Sequence, residues 1–108
     1  MKEMINAWLK EPGKDPEKRF IPNSLEFLQF CVGGYIETVT LAEDLVIICD
    51  EEGRLKDKPY NCTICGVDFV GNIILAGVAG EEMDDCSMDE ETLRTKYPQL
   101  WRSRKKDS

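Results

Sequence analysis

The chain has 108 residues, of which 42% are hydrophobic and 32% are charged, and its formal net charge is −7. This length suits a single domain, and the composition argues against wholesale disorder. The longest apolar or glycine run, 73–80, falls well short of the about 20 residues of a membrane helix, and the amino terminus lacks the apolar stretch of a signal peptide. We therefore expect a cytoplasmic protein without membrane contact.

The first strands are predicted to form a hairpin. Apolar residues occupy both faces of segment 4–10, and a second strand is expected over 18–21. Between them lies 11–16, which is dense in proline, glycine and aspartate and therefore typical of a turn.

A helix is predicted next, over residues 25–32. Either Asn23 or Ser24 can cap its first turn, because their side-chain oxygens accept hydrogen bonds from free amides. Its apolar residues share one side, apart from Phe30, which falls nearer the polar edge. The pair Gly33-Gly34 should end it, because glycine adopts the left-handed cap conformation without a Cβ clash.

Three further strands are predicted in the middle of the chain. Segment 35–41 alternates and is rich in β-branched residues, whereas 45–49 and 72–78 are apolar enough to be covered on both faces. Segment 62–70 fits neither a helix nor a strand clearly. The elements together indicate an α+β fold, a mainly antiparallel sheet of about five strands with one central helix on a face and a short C-terminal helix.

The carboxyl-terminal part is predicted to be an acidic loop, a short helix and a tail. Residues 81–89 form the loop, and Ser87 with Glu90 fits a capping box for a helix that ends at Tyr97. We expect residues 1–98 to be one domain and 99–108 to be a basic, frayed tail.

The five cysteines and the absence of histidine limit the chemistry of the chain. Without imidazole, the commonest general base and zinc ligand is missing, so we expect no catalytic residue and no cofactor. Cys62 and Cys65 have the spacing of a zinc-binding pair, but a closed site would need two further ligands from Cys31, Cys49, Cys86 or a carboxylate. Such a small structural zinc module is therefore an alternative and not the favoured interpretation.

The charge is unevenly distributed along the chain. Residues 1–91 contain twenty acidic and eight basic residues, whereas 92–108 contain one acidic and six basic residues. An acidic body repels phosphates, so we expect no direct binding of nucleic acid by the folded part. Another hypothesis is that the acidic surface mimics DNA and inhibits a DNA-binding protein.

A small group of residues is the candidate binding site. Gly33 and Gly34 can form a backbone nest for an anion or small polar ligand, with Tyr35 and Glu37 as side-chain contacts, or they can simply cap the helix. Phe30 either marks a partner surface or packs against the sheet or the C-terminal helix. A homodimer built through Phe30 or an edge strand is a further alternative.

Four stretches in this order resemble a known family: Glu11-Pro12-Gly13-Lys14, residues 25–37, Ile48-Cys49-Asp50-Glu51-Glu52-Gly53 and Ile74-Leu75-Ala76-Gly77. The family is the uncharacterised domain of unknown function 3846, and the similarity spans roughly residues 8–80, with Gly-Gly-Tyr-Ile-Glu as its most specific block. Members tend to read Leu-Asn-Arg after Pro59, where this chain has Tyr60-Asn61-Cys62; Asn61 therefore matches and joins the candidate binding residues. The resemblance implies a cytoplasmic protein of Gram-positive gut bacteria, their phages or conjugative elements, without an established activity.

These observations favour a non-catalytic binding or accessory protein whose partner is another protein or a small ligand. An enzyme of unknown type is the remaining alternative, and it would have to use Tyr35, Glu37 or Cys62 as working groups.

Overall fold

A computed structural model describes residues 2–102 of the chain. In this part of the chain the strands are β1 (Met4–Lys10), β2 (Glu17–Pro22), β3 (Ile36–Ala42), β4 (Leu45–Asp50), β5 (Tyr60–Ile64), β6 (Val67–Val70), β7 (Ile73–Ala79) and β8 (Glu82–Asp84). The helices are α1 (Leu25–Val32), α2 (Glu90–Lys96) and α3 (Gln99–Arg102). None of these helices has the length and apolar character to cross a membrane.

The main sheet has the strand order β2-β1-β7-β4-β3, and each neighbouring pair is antiparallel. β8 is a sixth strand that pairs with the end of β7 beyond its contact with β1. β5 and β6 form a separate antiparallel hairpin. The predicted α+β class, the antiparallel sheet and the first hairpin are therefore confirmed.

The central strands separate two hydrophobic clusters. All six residues of β4 are buried, as are the first five of β7, because both faces of the sheet are covered. α1 packs on one face through Leu28 and Val32. The β5–β6 hairpin and helices α2 and α3 cover the other face, where Phe69, Leu93 and Leu100 are buried. The molecule thus has a layer on each side of the sheet, whereas the sequence predicted only the α1 layer.

The capping residues in the sequence predicted the bounds of α1 correctly. The amide of Phe27 donates to the Ser24 hydroxyl over 3.2 Å, so Ser24 is the N-cap, and Gly33 is the left-handed C-cap with φ +81°. Asn23 has another role, because its side-chain amide donates to the carbonyl of Lys2 over 3.0 Å.

Several predictions in the second half were incomplete or wrong. The unassigned segment 62–70 is most of the β5–β6 hairpin, whose Cys65 and Gly66 both have positive φ at a two-residue turn. The acidic loop contains β8. The N-cap of α2 is Asp89, not Ser87, because the amide of Thr92 donates to the Asp89 carboxylate over 2.9 Å.

The predicted tail began too early. Residues 99–102 form α3, and Leu100 is fully buried against the hairpin side of the sheet. These residues therefore belong to the folded domain. The rest of the predicted tail, 103–108, lies outside the described residues.

Candidate functional site

The Gly33-Gly34 pair serves the end of α1. The amides of both glycines donate to the carbonyl of Gln29, over 2.8 Å for Gly33 and 3.1 Å for Gly34. A backbone nest binds an anion through free amide groups. Because these two donors are already used, the arrangement is that of a helix cap.

Asp50 lies directly behind this cap and is the most heavily engaged carboxylate of the site. Its side chain is 1% exposed and its Oδ2 lies 2.9 Å from Lys56 Nζ and 2.6 Å from Lys58 Nζ. Its Oδ1 accepts the amide of Glu52 over 2.9 Å. Burial disfavours the charge, but the hydrogen bonds from Lys58, Glu52 and Lys56 outweigh it and lower the pKa of Asp50 to about 2.

The same two lysines bind the end of α1. Lys58 Nζ donates to the carbonyl of Val32 over 2.6 Å, and Lys56 Nζ donates to that of Gly33 over 3.1 Å. Cations near these last carbonyls also complement the helix dipole. Asp50 is thereby linked through both lysines to the carboxyl end of α1.

This network explains why glycine occupies position 34. A Cβ there would lie 2.6 Å from Asp50 Oδ1 and 2.5 Å from Lys56 Nζ. Two of the sequence blocks that carried the family resemblance, one with Gly34 and one with Asp50, are therefore in contact. Their shared role in this structure is to join α1 to the end of β4.

Tyr35 and Glu37 do not gather around the cap as a ligand site. The Tyr35 side chain is 69% exposed, and its backbone carbonyl accepts the amide of Glu51 over 2.8 Å. Glu37 lies exposed on β3 and lines a separate cavity next to β6.

Asn61 is fully buried and supports the backbone. Its side-chain amide donates to the carbonyls of Lys10, over 3.0 Å, and Gly71, over 2.7 Å. These contacts join β5 to the end of β1 and to the start of β7. The structure therefore gives Asn61 a framework role and not an accessible one.

Lys10 was not singled out from the sequence, although it is fully buried. Its ammonium donates to the carbonyls of Glu11, over 3.3 Å, and Lys14, over 2.9 Å. Within the same turn the amide of Lys14 donates to the Glu11 carbonyl over 3.1 Å, and Gly13 has φ +77°. The Glu-Pro-Gly-Lys block is thus a β-turn held from inside by a lysine.

The two cysteines of the predicted zinc pair have different environments. Cys62 is fully buried in the core, where burial raises the pKa of its thiol to about 11 although nearby Lys10 acts in the opposite direction. Cys65 is exposed in the β5–β6 turn. Within residues 2–102 no group of three cysteine, aspartate or glutamate residues is placed to hold a metal ion.

Part of the acidic surface considered for DNA mimicry is used internally. Asp85 Oδ1 accepts the amide of Asn6 over 2.7 Å, and its Oδ2 lies 2.5 Å from Lys2 Nζ. The hydrogen bond from Lys2 and the bond from Asn6 lower the pKa of Asp85. This carboxylate therefore helps to hold the chain after β8 against β1.

Phe30 stands between two open hollows on the α1 side. One, of about 340 Å³, lies between α1 and strands β1 and β2 and is lined by apolar side chains together with Glu11, Arg19 and Asn72. The other, of about 350 Å³, lies between the end of α1 and the loops that carry Pro12 and Pro59. Phe30, Cys31 and Asn72 line both hollows.

The phenyl ring of Phe30 is 80% exposed, so it does not pack on the sheet or the C-terminal helices. Its nearest aromatic neighbour is Phe27, whose ring centroid is 6.4 Å away. Asn72, which lines both hollows next to Phe30, is held in place because its side-chain amide donates to the carbonyl of Cys31 over 3.0 Å. We call Phe27, Phe30, Cys31, Arg19 and Asn72 the Phe30 surface; sequence analysis identified only Phe30 among them, because the hollows depend on how β1, β2 and α1 pack.

Comparisons with known proteins identify one family. The model of the family described as "Domain of unknown function (DUF3846)" matches residues 5–102, which is nearly the whole chain. No curated protein and no solved structure matches the chain significantly. The resemblance drawn from the Gly-Gly-Tyr-Ile-Glu and Ile-Cys-Asp-Glu-Glu-Gly blocks is confirmed, and the chain belongs to the DUF3846 family.

Proposed function

We propose that this chain is a non-catalytic binding protein that captures another protein through the Phe30 surface. The observation that carries the proposal is the 80% exposure of a phenylalanine between two hollows of about 340 and 350 Å³. Exposed aromatic side chains beside apolar hollows are favourable anchors for protein interfaces.

The shape of the surface favours a protein over a small molecule. Each hollow is large enough for a few apolar side chains or a small ligand. A small molecule in one hollow would leave the outward ring of Phe30 in water. A partner that covers both hollows would remove that ring from water, which contributes about 2 kcal/mol for a large apolar side chain.

The buried cysteines do not favour the enzyme alternative. Burial raises the pKa of the Cys49 and Cys62 thiols to about 11, with Glu37 and Asp50 adding to the effect at Cys49. A thiol is a poor nucleophile until it ionises, and a raised pKa keeps these thiols protonated near neutral pH.

The setting proposed for this activity is the cytoplasm of a Gram-positive bacterium, with the protein encoded by the bacterium, a phage or a conjugative element. There it would act as an accessory factor by occupying its partner. The residue types of the Phe30 surface suggest a partner segment with apolar side chains, because hydrophobic lining dominates the first hollow.

The test compares capture from a bacterial lysate by the wild type, Phe30→Asp and a control, Phe20→Asp. Phe20 on β2 is also exposed, at 63%, but it lines neither hollow. We expect one protein to be held by the wild type and by Phe20→Asp, and the purified partner to bind Phe30→Asp at least tenfold more weakly.

Equal capture by Phe30→Asp would show that another surface binds. If no captured protein requires Phe30 for binding, the proposal loses its support. A dimer seen by light scattering that Phe30→Asp converts to a monomer would instead make a second copy the occupant.

A further inference from the structure

The outer edge of β3 is an open strand edge. Within residues 2–102, β3 ends the sheet and pairs with β4 alone. The amide of Glu51 donates to the carbonyl of Tyr35, just before Ile36 pairs with Asp50. Hydrogen-bonded pairs alternate along an antiparallel ladder, so Glu37 and Val39 bond to β4. The backbone groups of Ile36, Thr38 and Thr40 therefore point away from the sheet.

The opposite edge of the sheet is protected in a way that β3 is not. β2 is flanked by Pro16 and contains Pro22, and its first three residues are charged. Prolines and charges on an edge strand oppose the addition of another strand. β3 contains no proline, and Glu37 is its one charged residue. Of β2 and β3, the strands at the two ends of the main sheet, β3 is thus the one suited to pairing with an extended chain, over the residues that precede its register shift between Thr40 and Ala42.

A negatively charged cavity lies beside this edge. It has a volume of about 310 Å³ and is formed by β3, β4, β6 and the chain that follows β4. Asp50 in its lining is balanced by two lysines, which leaves, among the residues that the structure describes, Glu37, Glu51 and Asp68 against the guanidinium of Arg54. Arg54 in turn donates to the backbone carbonyl of Asp68 over 2.8 Å.

We propose that an extended, lysine- or arginine-containing segment of a partner protein adds to β3 as a new edge strand and directs a basic side chain into this cavity. The outward groups of Ile36, Thr38 and Thr40 would bind its backbone, as in other complexes formed by strand addition. Neighbouring strands lie about 4.8 Å apart, so a basic side chain opposite Glu37 reaches the cavity acids.

Charge favours such a segment over a second copy of this chain. Two copies joined at β3 would each contribute a net charge of −7 and bring two acidic cavities together. The β3 cavity shares no lining residue with the hollows of the Phe30 surface. The two surfaces can therefore be tested independently.

The test uses a fluorescein-labelled nine-residue peptide that alternates lysine and threonine, and a counterpart with glutamate in place of lysine. Alternation places every charged side chain on one face of an extended strand. In anisotropy titrations at low salt we expect the lysine peptide to bind, the glutamate peptide not to bind, and added salt to weaken binding.

Two variants separate the backbone from the charge. Thr38→Pro removes an outward amide, and we expect it to weaken binding of the lysine peptide about threefold to tenfold, whereas its control Thr38→Val binds like the wild type. Glu37→Gln should weaken binding about threefold to fivefold. Phe30→Asp should bind this peptide normally.

A measurement on the wild type covers the case in which Thr38→Pro does not fold. The amides of Thr38 and Thr40 should exchange with solvent more slowly when the lysine peptide is added. Equal binding of both peptides, unchanged amide exchange, or tight binding by folded Thr38→Pro would overturn the proposal. A dimer that depends on Thr38 would also overturn it and make a second copy the occupant.

Discussion

The ammonium of Lys58 lies 2.6 Å from the buried carboxylate of Asp50 and joins it to the carbonyl of Val32. One lysine thereby connects the end of α1 to the end of β4, two elements that are distant in sequence. The stability of the fold should consequently depend on this contact more than on the other ion pairs described.

Lys58→Met should lower the free energy of unfolding by about 2–3 kcal/mol, because it leaves the charge of the buried Asp50 paired with one cation, the partly exposed Lys56. Lys14→Met is the control, since Lys14 pairs with Glu11 on the surface and should cost less than about 1 kcal/mol. Urea denaturation of both variants measures the difference. Equal losses would mean that the Asp50 pair contributes no more than a surface pair.

The same carboxylate should make stability depend on acid. The pKa of Asp50 is lowered to about 2 from 3.8, so its contribution to stability is complete above about pH 5 and is lost as the pH falls towards 2. Over that window the wild type should lose about 2 kcal/mol more than Asp50→Asn does. Urea denaturation of both proteins at several pH values tests this, and parallel curves would contradict the assignment.

Gly77→Ala should disrupt the packing of the chain after β8 against β7. A Cβ on Gly77 would lie 2.0 Å from the backbone carbonyl oxygen of Asp85, which cannot move without displacing β8. We expect a loss of at least about 3 kcal/mol in unfolding free energy. Gly13→Ala is the control: its Cβ meets no atom within 4 Å, so only its φ of +77° opposes alanine, at about 1 kcal/mol. A similar loss in both variants would show that the close approach at Gly77 is unimportant.

Truncation of two residues of α1 should change the unfolding free energy to very different extents. Phe30→Ala should change the unfolding free energy by less than about 0.5 kcal/mol because the ring is mostly in water. Leu28→Ala should cost about 2–5 kcal/mol because Leu28 is 3% exposed and lies in the core beneath the helix. Thermal or urea unfolding measures both, and a large loss for Phe30→Ala would assign that ring a structural role.

The cysteines should differ sharply in reactivity. In the native protein Cys65 should react rapidly with a thiol reagent, whereas Cys49 and Cys62, whose thiols have pKa values raised to about 11 chiefly by burial, should react only after unfolding. Mass spectrometry after brief labelling identifies the modified residues, and Cys65→Ser provides the control. Elemental analysis of the same protein preparation tests the zinc alternative. A content of about one zinc per chain would support it.

The bounds of α1 were predictable because Ser24 and Gly33 act on their immediate neighbours. The buried strands β4 and β7 were predictable for a similar reason, since a continuous apolar run needs cover on both faces. The same residues carried the resemblance to the DUF3846 family, which the comparison confirmed.

Contacts between distant segments were decided by the tertiary structure. Nothing near Asn61 or Lys10 in sequence indicates that both side chains are buried against backbone carbonyls. The pairing of Asp50 with Lys58, the burial of Cys62 beside an exposed Cys65, and the hollows beside Phe30 likewise follow from how the layers pack. Capping and burial patterns are local properties of the chain, whereas the environment of a polar side chain depends on which remote backbone is brought to it.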